Sequence, residues 1–189
     1  MQVHAKILLI TFALLLSVGE VASAASGNNA MGARGGSFLQ LHPLSLSAFD
    51  SEIDGTPLVL GGEGYATVAK NLRIGGSGGG GFLWNASNNA QFALGYGGFL
   101  GEYVVKNWFN VRVLIGGGGY AVTKTVLETQ NQITDNKLAS GGFILVYPSI
   151  GTEFNISGGL RMGIRLGYFL PNADKLASLT LGFHLYFGK

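Results

Sequence analysis

Three sets of residues in this chain have the types and spacing to do chemistry. The first is the run Leu72–Phe82, LRIGGSGGGGF, which follows another glycine-bearing run, Leu58–Tyr65, LVLGGEGY. A loop that cradles phosphate ends in Gly-Lys-Ser/Thr, and this run does not. A dinucleotide-binding turn needs a helix opening directly behind its glycines, and no helical periodicity follows here. The second set is His42 and His184. A histidine can act as a general base beside a serine or an acid, but no His-x-Ser motif stands near these two, so no catalytic residue is assigned. The third set is Glu63, Arg73, Arg112, Glu153, Arg161 and Arg165, opposite charges scattered singly through apolar segments. Such a set can form structural ion pairs or, less simply, a proton or ion path. The chain has no cysteine and no pair of histidines at ligand spacing, so neither a metal nor a cofactor is expected.

The elements that position these residues are strands. Leu179, Leu181, Phe183, Leu185 and Phe187 alternate with Thr180, Gly182, His184 and Tyr186. Leu160, Met162, Ile164, Leu166 and Tyr168 alternate with Arg161, Gly163, Arg165 and Gly167, and Phe109, Val111, Val113 and Ile115 with Trp108, Asn110, Arg112 and Leu114. Alternation with period two puts one apolar and one mixed face on each strand. About eight such segments are expected, near residues 38–49, 57–69, 72–83, 91–105, 108–122, 142–154, 159–170 and 178–187. The first is interrupted by Pro43, which suits only an edge or a bulge.

The connections alternate too. Lys70-Asn71, Lys106-Asn107 and Asn155–Gly158 read as tight turns, since asparagine tolerates left-handed backbone. The segments 50–56, 84–90, 123–141 and 171–177 are longer. Strict alternation puts all tight turns at one end of an up-and-down antiparallel meander, and closure into a barrel removes its edges. All six charges then share the face opposite the apolar one. Glu102 is the exception, because it has the parity of Phe92, Leu94 and Leu100. Either a glycine bulge near Gly97-Gly98 flips the register, or Glu102 stands beyond the bilayer near the turn. Taking Lys106-Asn107 as the turn puts Gly101 opposite Arg112, and Glu153 becomes an acceptor shared by Arg112 and Arg161.

The pattern of short turns at one end and long loops at the other resembles the small bacterial outer-membrane β-barrels of the OmpA and OmpX type. The resemblance implies an even number of strands, periplasmic tight turns, extracellular loops and termini in the periplasm. Composition agrees: charged residues are 12% of the chain, about half the usual share of a soluble domain. A formal charge of +2 without a basic cluster does not suit nucleic-acid binding. At the N-terminus, Lys6, the apolar run Ile7–Val18 and Ala22-Ser23-Ala24 read as a signal peptide over 1–24. The polar stretch 25–36 reads as a flexible leader and 37–189 as the barrel domain.

Glycine within a strand costs about 0.5–1 kcal/mol against alanine, so its repetition needs a reason. Tight strand coiling in a small barrel is one; close stacking of sheets is the other. The expected function is therefore an outer-membrane barrel with a structural or surface-contact role, not catalytic, whose partner is outer-membrane lipid. The alternative is a secreted glycine-rich β-protein that self-associates into extracellular fibres or a surface layer. The segment Thr123–Ser140, whose halves can continue a hairpin around Gln130-Asn131, is the loop best placed for recognition. Signal-peptide cleavage after Ala24 is expected to leave a mature chain beginning at Ala25. Intact mass of the exported protein checks this.

Overall fold

The structure is a computed structural model, and it describes residues 32–46, 53–85, 90–127 and 133–188. The segment 1–24 and residues 25–31 of the expected leader lie outside the described residues. In chain order the strands are β1 (Ala33–Leu41), β2 (Leu44–Leu46), β3 (Ile53–Gly55), β4 (Leu58–Ala69), β5 (Leu72–Asn85), β6 (Ala90–Lys106), β7 (Phe109–Leu127), β8 (Ile133–Ser157), β9 (Leu160–Pro171) and β10 (Ser178–Gly188). A 3-10 turn, Asp174–Leu176, lies between the last two. Strands β1 and β4 to β10 form one closed barrel of eight antiparallel strands. Pairing of β1 with β10, Arg34 opposite Gly188 through Leu41 opposite Leu181, closes it. The short β2–β3 pair stands apart at the loop end.

Both ends of the first strand differ from the sequence reading. The first barrel strand begins at Ala33, so residues 33–36 of the expected leader are strand, and it ends at Leu41 instead of running to residue 49. Pro43 lacks the N–H a ladder needs, and the chain leaves the barrel there to form β2. The glycines at 35 and 36 hid the start, because they carry no side chain to show alternation. At the other end of the barrel, β7 and β8 continue as a paired hairpin to Leu127 opposite Ile133.

The tight turns fall at Lys70-Asn71, Asn107-Trp108 and Gly158-Gly159, with Gly159 at φ +120, a left-handed conformation that favours glycine. They share one end with the start of β1 and the end of β10. The β6–β7 turn lies one residue later than expected, at Asn107-Trp108, and a register shift between Val104 and Lys106 takes back part of that displacement, so Glu102, not Gly101, lies opposite Arg112. A second shift, between Asn155 and Ser157, puts Asn155 opposite Arg161 and Glu153 opposite Gly163.

Alternation gives the barrel two unlike faces. Outward, β9 and β10 present Met162, Ile164, Leu166, Tyr168, Leu170, Leu179, Leu181, Phe183, Leu185 and Phe187, all exposed. Phe82 and Phe99 are 75% and 82% exposed. Tyr103, Trp108, Phe154 and Phe187 place aromatic rings outward near the tight-turn end, as at a membrane–water boundary. Strands such as β10, 11 residues long, meet the ~9–11 residues that cross a bilayer when tilted.

The glycines divide by face. Inward ones sit where a Cβ would collide: at Gly98 it would overlap the Ile115 carbonyl oxygen and lie 2.6 Å from the Gly116 Cα. Most outward ones do not, although at Gly78 and Gly117 it would lie 2.9 Å from the Tyr96 and Phe143 carbonyl oxygens. At Gly97 the nearest atoms to a Cβ are the Ser77 carbonyl oxygen at 3.5 Å and the Gly78 Cα at 3.7 Å, an ordinary contact. Strand coiling therefore explains the inward set, while most of the outward set, Gly97 included, is free of internal steric demand. Gly98→Ala is expected to lower the unfolding free energy by about 1–3 kcal/mol through overpacking. Gly97→Ala is expected to be neutral or stabilising by up to about 0.5–1 kcal/mol. Urea unfolding of the detergent-folded barrel, followed by gel migration, separates the two.

Candidate functional site

The chemistry-bearing side chains lie inside the barrel, in two layers. The layer nearer the tight turns is ionic. Its centre is Glu102, 1% exposed, whose carboxylate accepts from three guanidiniums. Arg73 Nη1 donates to Oε1 at 2.5 Å, Arg112 Nε to Oε2 at 2.8 Å, and Arg165 Nη2 to Oε2 at 3.2 Å. Arg112 also donates to Glu63, and Glu63 accepts from His184 Nδ1 at 3.0 Å. Glu153 accepts from Arg73 at 2.8 Å and from Asn110 Nδ2 at 3.1 Å. Its other oxygen lies 3.5 Å from Arg161 and 3.6 Å from Arg34. Arg165 is further held by Asn110 Oδ1 at 2.8 Å, and Arg73 lies over the Tyr65 ring, 5.0 Å from its centroid.

Each barrel strand supplies a member: Arg34, Glu63, Arg73, Glu102, Arg112, Glu153, Arg165 and His184 come from β1, β4, β5, β6, β7, β8, β9 and β10 in turn. Strand alternation aims each of these side chains inward, and closure brings them within bonding reach.

The layer nearer the loops is neutral and aromatic. Phe169, fully buried, packs against His42, Tyr96, Phe143 and Tyr147 with ring centroids 5.2, 5.3, 5.7 and 6.0 Å away. Tyr96 donates to Gln40, Gln40 Nε2 donates to Tyr147 at 3.2 Å, and Tyr147 and Thr180 share a bond of 2.6 Å. His42 Nε2 donates to Gln40 Oε1 at 3.3 Å. Buried Leu44 of β2 and Leu176 of the 3-10 turn close the loop end. The lumen is filled with packed side chains, like a soluble core.

All six charged residues singled out in the sequence lie on the inner wall, but their partners differ from the expected ones. Arg112 pairs with Glu63 and Glu102 rather than sharing Glu153 with Arg161, because the turn at Asn107-Trp108 and the register shift after Val104 together set Glu102 opposite it. Glu102 neither follows a flipped register nor leaves the barrel: β5–β6 pairing runs unshifted from Leu72 to Asn85. Phe92, Leu94 and Leu100 share its parity because they too are buried inside. Reading an apolar face as the lipid face is what misplaced Glu102. Arg34 was hidden in the supposed leader. Asn110 was visible on the inner face of β7, without a charge to mark it. Among the described residues, no cluster of three or more His, Asp or Glu could hold a metal ion.

Arg165 is 2% exposed in its side chain and bonds two side chains of the ionic core besides Ser149, whereas Arg161 is 23% exposed and, among the described residues, reaches the carboxylate of Glu153 alone, at 3.5 Å. Arg165→Met is expected to cost about 3–5 kcal/mol by leaving buried carboxylate charge uncompensated. Arg161→Met should cost about 0–1 kcal/mol. Combining Glu102→Gln with Arg165→Met should cost less than the sum of the singles. Equilibrium unfolding in lipid micelles measures all four proteins.

No protein-family profile matches the sequence, and no curated protein matches it. Solved structures do resemble the fold. The crystal structure of Ail, the attachment invasion locus protein of Yersinia pestis, aligns with a TM-score of 0.57 at 9% identity, covering 84% of this chain and 97% of Ail. Neisserial surface protein A aligns with a TM-score of 0.54 at 10% identity, covering 86% of this chain and 99% of that one. At such identities the likeness is one of fold. This chain folds as a closed eight-stranded antiparallel barrel of the outer-membrane type.

Proposed function

We propose that the protein resides in a bacterial outer membrane as a non-catalytic barrel whose role is structural or one of surface contact. The observation that carries this is the outward belt. Large apolar side chains cover the outer faces of adjacent strands, with Ile115 58%, Ile144 66% and Leu179 57% exposed. A water-soluble monomer rarely exposes a contiguous apolar patch beyond a few hundred Å², whereas lipid is the solvent that such a surface fits.

Two features support a role without catalysis or conduction. His42 and His184 are 0% and 2% exposed and bonded to neighbouring lumen side chains, away from any lipid or solute. The ionic and aromatic layers together fill the bore, as expected for a barrel of this size. Contact with partners then falls to the loop end, where the β7–β8 hairpin extends furthest. Its tip, residues 128–132, lies outside the described residues.

A second reading concerns self-association. The outward glycines Gly62, Gly78, Gly97 and Gly117 are consecutive register partners across β4 to β7, a bare strip within the belt. Two copies could meet closely there, and Gly97→Leu would then abolish cross-linked dimers.

The membrane reading is tested on intact cells. The protein should fractionate with the outer membrane, require detergent to stay dispersed, and migrate differently on gels before and after heating. External trypsin should cut at Lys124 or Lys137 and spare Lys70 and Lys106. A soluble monomer, or cleavage at Lys70 in intact cells, would overturn the assignment.

A further inference from the structure

At the tight-turn end the bore opens into a recess of about 400 Å³, within the ~300–1,000 Å³ of ordinary ligand sites. Arg34, Lys70, Arg73 and Arg161 line it, with asparagine and threonine making up most of the rest and no carboxylate among the lining residues. These cations come from β1, the β4–β5 turn, β5 and β9, so closure of the barrel assembles the recess.

The ionic layer beneath does not neutralise it. Among the described residues, the ion pairs of that layer set five arginines, at 34, 73, 112, 161 and 165, against the carboxylates of Glu63, Glu102 and Glu153. The short bonds go to the deep arginines. Arg34 and Arg161, at the recess, share one oxygen of Glu153 at 3.6 and 3.5 Å. Lys70 has no acidic partner among the described residues. Its turn is braced by the neighbouring strand β6, whose Val104 N–H donates to the Asn71 carbonyl at 2.8 Å. A partly enclosed group of under-compensated guanidiniums, with a lysine at the rim, attracts an anion strongly. Guanidinium forks match the planar and tetrahedral oxygens of carboxylate and phosphate, and several convergent cations favour the higher charge of phosphate.

We propose that this recess is a binding site for a phosphate group, held by Arg34, Arg161 and Lys70 with Arg73 at its floor. The group comes either from a soluble phosphate of the compartment that the tight turns face or from the headgroup of an anionic phospholipid.

The test uses the full mature chain folded in phosphate-free maltoside micelles at low ionic strength, titrated with inorganic phosphate and followed by phosphorus NMR line broadening. Saturable binding is expected, weakened several-fold in Lys70→Gln and at least tenfold in Lys70→Gln with Arg161→Gln. Lys106→Gln is the control. It removes a charge from the same rim, where its ammonium lies 5.7 Å from the Trp108 ring centroid outside the recess, and should change binding less than twofold. Lys70 lies in an exposed turn, so its single variant remains informative if Arg161→Gln does not fold. Displacement of phosphate by short-chain phosphatidylglycerol, but not by glycerol phosphate, would identify the lipid source, and the reverse a soluble one. Absence of saturable binding, or equal weakening by Lys70→Gln and Lys106→Gln, would overturn the site.

Discussion

The barrel depends on one buried carboxylate. Glu102 is removed from water, and among the described residues it is the arginines of β5, β7 and β9 that compensate its charge. Those strands are β6's two neighbours and one from further round the wall. A buried charge without partners costs several kcal/mol, so the arrangement strongly disfavours any partly closed sheet that leaves β9 out of reach. The same logic extends outward through Glu63 and Glu153 until each barrel strand is tied in. Backbone ladders alone link only neighbours. The ionic layer links strands across the bore and makes closure cooperative.

Around that centre the molecule is built for two solvents. Its outer face is apolar, and its inner face mixes charge near the turns with aromatic packing near the loops. Glycine makes both possible in different ways. Inward, Gly61 leaves space for the Phe38 ring, Gly118 for Phe143 and Gly167 for Tyr147, so a bulky residue on one strand faces a bare position on the next. That complementarity fills a narrow bore without distorting its wall. Outward, the glycines meet no such neighbour, and the belt is locally flat. The ends differ as well: the loop end is sealed by Leu44 and Leu176, while the turn end is open and cationic.

A rigid, filled cylinder leaves little inside it to move, which places the variable parts of the protein at its ends. The β7–β8 hairpin carries the ladder past the belt, so its position is set by the same hydrogen bonds that build the wall. With the bore filled, the rims of the barrel are what remain open to contact.

The sequence by itself determined the strands, their faces and the polarity of the barrel. Alternation of side chains is a local consequence of extended backbone, so Leu179 to Phe187 and Arg161 to Tyr168 showed their two faces without reference to any partner. Turn residues such as Lys70-Asn71 are equally local, and with the longer connections they placed both kinds of link at opposite ends. Register was decided only by the tertiary structure. The turn at Asn107-Trp108 and the bulge between Val104 and Lys106 together set β6 against β7, and no local preference announces the bulge; the two put Glu102 opposite Arg112. The face of β6 was also a tertiary matter. Phe92, Leu94 and Leu100 are as apolar as any lipid-facing residue, and they point inward because the bore of a small barrel is itself a core. Apolar character states that a side chain leaves water. Whether it enters lipid or the bore is decided by closure of the sheet.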